Sequence, residues 1–354
     1  MVDTRTLARL LHAAQQAQAK LVLVGDPAQL PELAAGGLFA GLLRRLNPIT
    51  LTHNRRQRHG WDRDALAALR TGDPAPLIHT YQTHHRLTVA GTDADAARQL
   101  AADWAAWAVA QPRGALGAGV MLAARQLDVD ALNRHARHHL HSAGRLGDDT
   151  LTVNGRGYTV GDRVVCLRNN RRLGVTNGTR ATVTHLDPET ASVTLEPDGD
   201  AAEAVTLPGW YLNAGHLAHG YTVTAHKAQG ATVDRAWVYA DPRSVYTEWL
   251  YTALSRHRDT AHLHTSVTTL DQLAIELETH DPRPRRAARG EEGAVAALQA
   301  NTARSRAHTL ATDHTPAPHL QRDPADPAPA PARVRPVAPR PPGPEWPEPL
   351  GLSL

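Results

Sequence analysis

Two polar side chains, Asp26 and Gln29, follow a run of four apolar residues that ends in the turn Gly25-Asp26-Pro27. The run at 21–24 predicts a strand buried on both faces, as in a parallel sheet covered by helices. Because ligands bind at the carboxyl ends of such strands, this carboxylate and amide could orient water, a metal ion or a phosphate. The alternative is an Asp that caps the turn and a Gln on the surface, and the spacing alone favours it.

A second polar stretch, 220–230, combines hydroxyl, imidazole and ammonium groups in Thr224, His226 and Lys227. Its pattern predicts a short helix that begins near Thr224 and ends at Gly230. The free N–H groups and the dipole at a helix start favour anions, so these donors could bind a phosphate. A capped surface helix explains the same residues equally well.

Two basic clusters also follow predicted elements. The first, at 53–58, comes directly after a candidate strand at 49–51, and the second, at 255–258, follows a predicted helix at 249–254. A charge run is usually a solvated surface, but the position of the first cluster directly after a strand raises the chance that one of its arginines points into a site. Four histidines at 135–141 have no carboxylate or cysteine among them, so we predict solvated side chains and no metal site.

Helical and strand patterns alternate before residue 150 and again after residue 220, which indicates an α/β fold. Predicted helices cover 4–19, part of 33–46, 62–70, 93–110, 124–139 and 249–254, and predicted strands cover 21–24, 49–51, 119–123, 237–239 and 261–264. Between 151 and 215, short alternating segments separated by Asn-Gly, Asp-Pro and Asp-Gly turns predict a small all-β module. Residues 281–354 hold 15 of the 25 prolines and predict a disordered tail, with a helix candidate at 293–310.

Composition narrows the class of protein. The chain has 354 residues, a net charge of +3 and a single cysteine, Cys166. One cysteine excludes an internal disulfide framework and fits a reducing compartment. The first residues lack a signal-peptide pattern, and no apolar run approaches the roughly 20 residues that span a bilayer. We therefore expect a cytoplasmic protein without a membrane partner.

Four stretches, in order, resemble motifs III to VI of a RecD-like superfamily 1 DNA helicase: VGDPAQLP, THNRRQ, GYTVTAHKAQGATVD and YTALSRHRD. The nearest resemblance is to the helicase region of conjugative relaxases of the TraA, TraI and TrwC group. The stretch GDRVVCLRNNRRLGVTNGTRATV is similar to the small β-barrel that RecD-like enzymes carry in their second motor domain. The resemblance covers roughly residues 1 to 270.

The resemblance implies a RecA-like, P-loop NTPase-type architecture. Residues 1–50 would be the end of motor domain one, and 51–150 with 216–278 would be a complete motor domain two. Residues 151–215 would form an inserted SH3-like β-barrel, and 279–354 a disordered Pro-rich tail.

The resemblance also implies roles in binding ATP. Asp26 and Gln29 would stand at the cleft between the motor domains, where Gln29 would sense the γ-phosphate. Arg56 and Arg256 would reach across to the same phosphate, and Gly230 would lie close to the nucleotide. Such arginines neutralise charge that develops during phosphoryl transfer.

On the other side of the motor, Thr224 and His226 would contact phosphates of single-stranded DNA, with Lys227 a weaker candidate. Contacts to the DNA backbone hold it without reading its sequence, so binding should weaken steeply with salt.

The sequence departs from the family in lacking a Gly-Lys-Ser or Gly-Lys-Thr phosphate loop and the Asp-Glu pair that holds Mg²⁺. Met1 resembles an internal methionine that follows this pair. We therefore expect a carboxy-terminal fragment that is inactive alone and whose partner is the upstream half. Its residues 1 to about 50 should expose a sheet edge and apolar surface. The family would move 5′ to 3′ in conjugation, recombination or repair. The alternatives are a non-catalytic DNA-binding or regulatory module, and the product of a decayed mobile element.

Overall fold

Helices and strands alternate along the chain in the computed structural model, which describes residues 2–31, 38–51, 53–112, 115–199, 203–267 and 290–305. The strands are β1 (Leu87–Ala90), β2 (Gly119–Ala123), β3 (Leu151–Val153), β4 (Arg156–Tyr158), β5 (Arg163–Cys166), β6 (Arg180–Asp187), β7 (Ser192–Pro197), β8 (Val205–Leu207), β9 (Leu217–His219), β10 (Thr222–Thr224), β11 (Val233–Tyr239) and β12 (His257–Ser266). The helices are α1 (Thr4–Gln16), α2 (Leu38–Arg45), α3 (Gly60–Arg70), α4 (Ala75–Thr83), α5 (Asp93–Ala110), α6 (Gln126–Ser142), α7 (Gly209–Asn213), α8 (Thr247–Leu254) and α9 (Gly290–Thr302). None of these helices is both long and apolar enough to cross a membrane.

Five strands form one parallel sheet in the order β1-β12-β11-β2-β10, which confirms the predicted α/β fold. Every residue of β2 is buried, as its unbroken apolar sequence predicts. The chain runs outward from β2 to β10 and then the opposite way from β11 to β12. The carboxyl ends of the strands therefore meet at one edge of the sheet, where the polar residues after β10 and β11 lie.

Helices cover the sheet on both faces. One face packs against α3, α4 and α8 through residues such as Leu66 and Trp249. The other packs against α5 and α6 through Trp104 and Leu132. Trp104 is 1% exposed, so the tryptophans of α5 belong to the core, as the sequence indicates.

The segment from β3 to β9 forms the predicted β module, which we call the insert, except that it also contains the short helix α7. Its strands pair antiparallel, as a β3–β4 hairpin and a sheet ordered β8-β7-β6-β5-β9. The hairpin turns at Asn154 and Gly155, which both have positive φ, as an Asn-Gly hairpin turn requires. The insert extends to His219, beyond the predicted boundary at 215, and its SH3-like classification stays a prediction.

The predicted strand at 21–24 does not form. None of the described strands pairs with it, and Val22 and Val24 are 70% and 91% exposed. The candidate strand at 49–51 is likewise irregular, with Ile49 96% exposed. A strand needs a neighbouring strand to satisfy its backbone groups, and the described residues offer none here. Apolar side chains such as Val24 and Ile49 are exposed, as expected for residues 1 to about 50, whereas the predicted burial of 21–24 in a sheet is wrong.

Two further predictions differ from the structure. Residues 225–230 form a turn rather than a helix, because the i+4 hydrogen bond from the Ala228 N–H to the Thr224 carbonyl is not continued and Gly230 has φ +91°. Within the predicted disordered tail, α9 buries Ala294 and Leu298, and the Thr247 N–H donates to the Arg304 carbonyl. The spacing of these apolar residues gives α9 a face to bury against the core, and α9 overlaps the helix candidate at 293–310 within the part that the structure describes, which ends at residue 305. Residues 279–289 and 306–354 lie outside the described residues.

Candidate functional site

Arg256 lies in the turn that joins α8 to β12. Its side chain is 1% exposed, with Nε donating to the Thr252 carbonyl at 2.8 Å and one Nη donating to Ser255 Oγ at 2.7 Å. Burial and then the nearby charge of Arg56 lower the pKa of Arg256 to about 10, against the opposing attraction of Tyr251 and Asp26. The guanidinium is therefore folded onto the end of its own helix.

Arg56 and Gln57 hold this turn from outside the helix. Arg56 donates through Nη1 to the Ser255 carbonyl at 2.7 Å. The buried amide of Gln57 donates through Nε2 to the His257 carbonyl at 2.6 Å and, less closely, to that of Ser255. The two arginines predicted from separate motifs are therefore brought together at one turn.

A buried network that sequence reasoning missed lies behind the turn. His257 contacts the Leu254 carbonyl through Nδ1 at 2.6 Å, so Nδ1 carries a proton, and its Nε2 contacts Asp62 Oδ2. The Tyr81 hydroxyl donates to the other oxygen of Asp62 at 3.2 Å. Asp62 therefore joins the His257 ring and the Tyr81 hydroxyl in one buried network. The available signal was a carboxylate on the apolar face of α3, one turn before Leu66.

Asp26 and Leu30 attach the first motif to α8. Asp26 accepts from Arg70 at 3.1 Å and from the Tyr251 hydroxyl at 3.2 Å, while the Leu30 N–H donates to Thr252 Oγ1 at 3.0 Å. Asp26 also accepts from the Ala28 N–H, as the turn-cap interpretation predicts. Gln29 reaches only as far as Asp26, at 3.5 Å. The first motif therefore lies one helical turn from Arg256.

Thr224 ends β10, and His226, Lys227 and Gly230 lie in the turn that follows it. Burial lowers the pKa of His226, and the Lys227 N–H approaches Thr224 Oγ1 at 3.4 Å. A Cβ on Gly230 would meet nothing within 4 Å, so the backbone conformation is what requires glycine there. Among the described residues, no group of three or more histidine, cysteine or acidic side chains could hold a metal ion.

Models of two families match parts of the chain. The model described as AAA domain matches residues 1–92, and the one described as viral superfamily 1 RNA helicase core domain matches residues 132–265. The conjugal transfer protein TraA of Rhizobium radiobacter is 35% identical over 269 residues, which are 75% of this chain and 24% of TraA. The chain is a superfamily 1 helicase-like protein, related to TraA.

The helicase-like chain also has more distant relatives. The RecBCD enzyme subunit RecD of Mycolicibacterium smegmatis is 27% identical over 277 residues, covering 72% of this chain and 47% of RecD. The crystal structure of Pif1 helicase from Candida albicans matches over 79% of this chain and 75% of its own, at 18% identity and a TM-score of 0.46. The chain spans about a quarter of the length of the TraA relatives. The relation inferred from the four motifs is thus confirmed, while the roles of single residues stay predictions.

Proposed function

We propose that this helicase-like chain supplies the second motor domain of an ATP-driven DNA helicase in conjugation, recombination or repair. The observation that carries the proposal is the convergence of Arg56 and Arg256 on the turn at 255–257. The charge of Arg56 helps to lower the pKa of Arg256, so the two guanidinium groups together form a favourable place for a phosphate anion. Asp26 and Gln29 would approach the same place from the first motif.

The residues at this turn fit the phosphate of ATP but not the Mg²⁺ that accompanies it. Bound ATP would bring a γ-phosphate, which Arg56 and Arg256 would hold and neutralise, an effect of about 10³ or more in rate where it has been isolated. Mg²⁺ has no fitting carboxylate group among the described residues. We propose that a separate P-loop half brings those ligands and covers the exposed apolar stretch at 21–24, so that the chain alone does not hydrolyse ATP.

Single-stranded DNA is the proposed partner of the turn after β10. Thr224 offers a hydroxyl and His226 and Lys227 offer ring and ammonium donors at the carboxyl edge of the parallel sheet. Such donors bind backbone phosphates without reading bases. By analogy with the RecD-like group, the motion would run 5′ to 3′.

Two measurements on the purified chain test this function. ATP hydrolysis with single-stranded DNA should stay at background, and adding a P-loop half from a TraA relative should restore turnover that Arg256→Ala abolishes and Arg172→Ala does not. Turnover by the chain alone, lost on Arg256→Ala, would overturn the proposed division of the site. Fluorescence anisotropy should show salt-dependent binding of oligothymidylate, weakened by His226→Ala, and an absence of binding would overturn the DNA partner.

A further inference from the structure

A segment at 290–305 lies against α8, the helix whose end is followed by Arg256. We call this segment the strap, and it consists of α9 and the three residues after it. Neither of the two family models reaches it, because the second match ends at residue 265. The role of the strap therefore has to be inferred from its own contacts.

The apolar side of α9 seats the strap on the helical layer of the motor domain. Leu298 is buried and belongs to the same apolar cluster as Trp249 and Leu250 of α8. Val295, one turn earlier in α9, packs against this cluster too. Apolar burial therefore holds α9 in place, which brings the residues after it to a fixed position beside α8.

The residues after α9 cap the first turn of α8. The Thr247 N–H donates to the Arg304 carbonyl at 2.9 Å, and the Thr247 hydroxyl donates to the Thr302 carbonyl at 2.5 Å. Ser305 Oγ contacts Glu248 in the same turn. The residue before α8 makes no side-chain cap hydrogen bond. The strap backbone therefore accepts from the start of this helix, as a Ser, Thr or Asp cap does elsewhere.

The other contacts of α8 lie further along the helix. Since α8 joins the parallel strands β11 and β12, its start lies at the carboxyl edge of the sheet and its end at the opposite edge. In its second turn, the Thr252 hydroxyl accepts from the Leu30 N–H and the Thr252 carbonyl accepts from Arg256 Nε. One short, buried helix thus joins the strap, the first motif and the arginine, and a shift of its first turn is passed to Thr252.

We propose that the strap is a positioning element for Arg256: it fixes the start of α8, and through this helix it holds the guanidinium where the γ-phosphate would bind. The inference rests on the proposed function, which assigns the phosphate to Arg256 and Arg56. Thr247 is the residue on which the effect depends, because its N–H and its hydroxyl both bond to the strap. A strap that only added stability would loosen locally when Thr247 changes, without disturbing the turn at 255–257.

Hydrogen exchange on the full chain separates these two roles. Thr247→Val leaves the carbonyl of the buried Thr302 without its donor, so exchange should rise roughly ten-fold at 290–305 and also at 252–258. Thr247→Ser keeps the hydroxyl and should exchange as the wild type does. Thr71→Val makes the same change at the exposed end of α3, where the hydroxyl donates to the Ala68 carbonyl, and should leave both segments unaltered. Faster exchange at 290–305 alone, or at neither segment, would overturn the proposal.

A second variant keeps the test decisive if Thr247→Val does not fold. Leu298→Ala loosens the seat of α9 without altering any residue of α8. It should raise exchange at the same two segments. A rise confined to the strap in this variant would count against the positioning role in the same way.

Turnover of ATP by the chain mixed with a P-loop half measures the consequence for the reaction. Thr247→Val should lower kcat roughly ten-fold and change the KM for ATP little, because a displaced arginine is lost mainly to the transition state. Thr247→Ser and Thr71→Val should match the wild type. If the wild type turns over ATP and Thr247→Val equals it, the strap is not a positioning element and the proposed function stands. If the wild-type mixture shows no turnover, the proposed function fails, and the exchange pattern still decides whether the strap positions the turn at 255–257.

Discussion

The first motif, at 24–31, contacts the last motif, at 251–259, but the two are held in position in different ways. From Thr247 to His257 every residue except Tyr251 is buried, and the turn is held by Gln57 and by the Asp62–His257 pair. The first motif instead follows an apolar stretch, 21–24, that is exposed and unpaired in the described chain.

The difference shows where each motif obtains its position. Arg256 is fixed by its own domain, whereas Asp26 and Leu30 are fixed by their bonds to Tyr251 and Thr252 on α8. The order of the motifs in the sequence therefore does not show which motif is positioned by its own surroundings and which depends on contacts with another motif. The exposed stretch at 21–24 also offers apolar surface for a partner to cover.

Breaking the buried network should have the largest effect. Asp62→Ala leaves the His257 ring and the Tyr81 hydroxyl buried without their acceptor, so we expect a loss of about 3–5 kcal/mol in unfolding free energy. Urea unfolding measures it. Asp64→Ala, an exposed carboxylate on the same helix, should change stability by no more than about 0.5 kcal/mol. A cost for Asp62→Ala as small as that of the control would show that the turn is not held from within its domain.

The next largest effect on stability should come from acid, which acts on the buried histidines of β12. Burial, and then the charge of Arg86, lowers the pKa of His262 in β12 to about 4, and burial lowers that of His264 to about 3. Since the unfolded state binds these protons first, stability is full above about pH 6.5 and falls as the pH drops towards 4.

His262→Gln should remove roughly 2 kcal/mol of this pH-dependent loss, measured by urea unfolding at pH 7 and pH 4. His12→Gln, on the exposed face of α1, serves as its control and should not alter the pH profile. An identical profile for His262→Gln and wild type would contradict the assignment of the loss to β12.

The smallest effect concerns the first motif. Leu30 is 4% exposed and forms its apolar anchor, so Leu30→Ala should cost about 2 kcal/mol. Val24 is 91% exposed, and Val24→Ala should cost less than about 0.5 kcal/mol. Thermal unfolding compares the two, with hydrogen exchange at 21–24 as a second readout. Strong protection there, or equal costs for both variants, would remove the contrast between the two motifs.

Local signals in the sequence were sufficient to predict the bounds of several helices and strands. The bounds of α5 follow from Thr92, whose hydroxyl accepts from the Asp95 N–H, and the bounds of β2 follow from its apolar run. The stretch at 21–24 carries the same kind of run, yet it forms no strand because pairing depends on residues far away in the chain. A helix needs no distant strand, so the helix candidate at 293–310 could be read from the sequence, whereas the burial of α9 against the core depends on residues far away in the chain.

The sequence by itself determined the family, the order of the motifs and the identity of the charged groups, because these depend on residue types at short spacing. Only the tertiary structure decided that Arg256 folds back onto its helix and that Arg56 meets it at Ser255. It also decided that Asp62 pairs with His257, a residue 195 positions away. Burial and charge pairing arise from packing between distant segments, so they cannot be inferred from neighbouring residues alone.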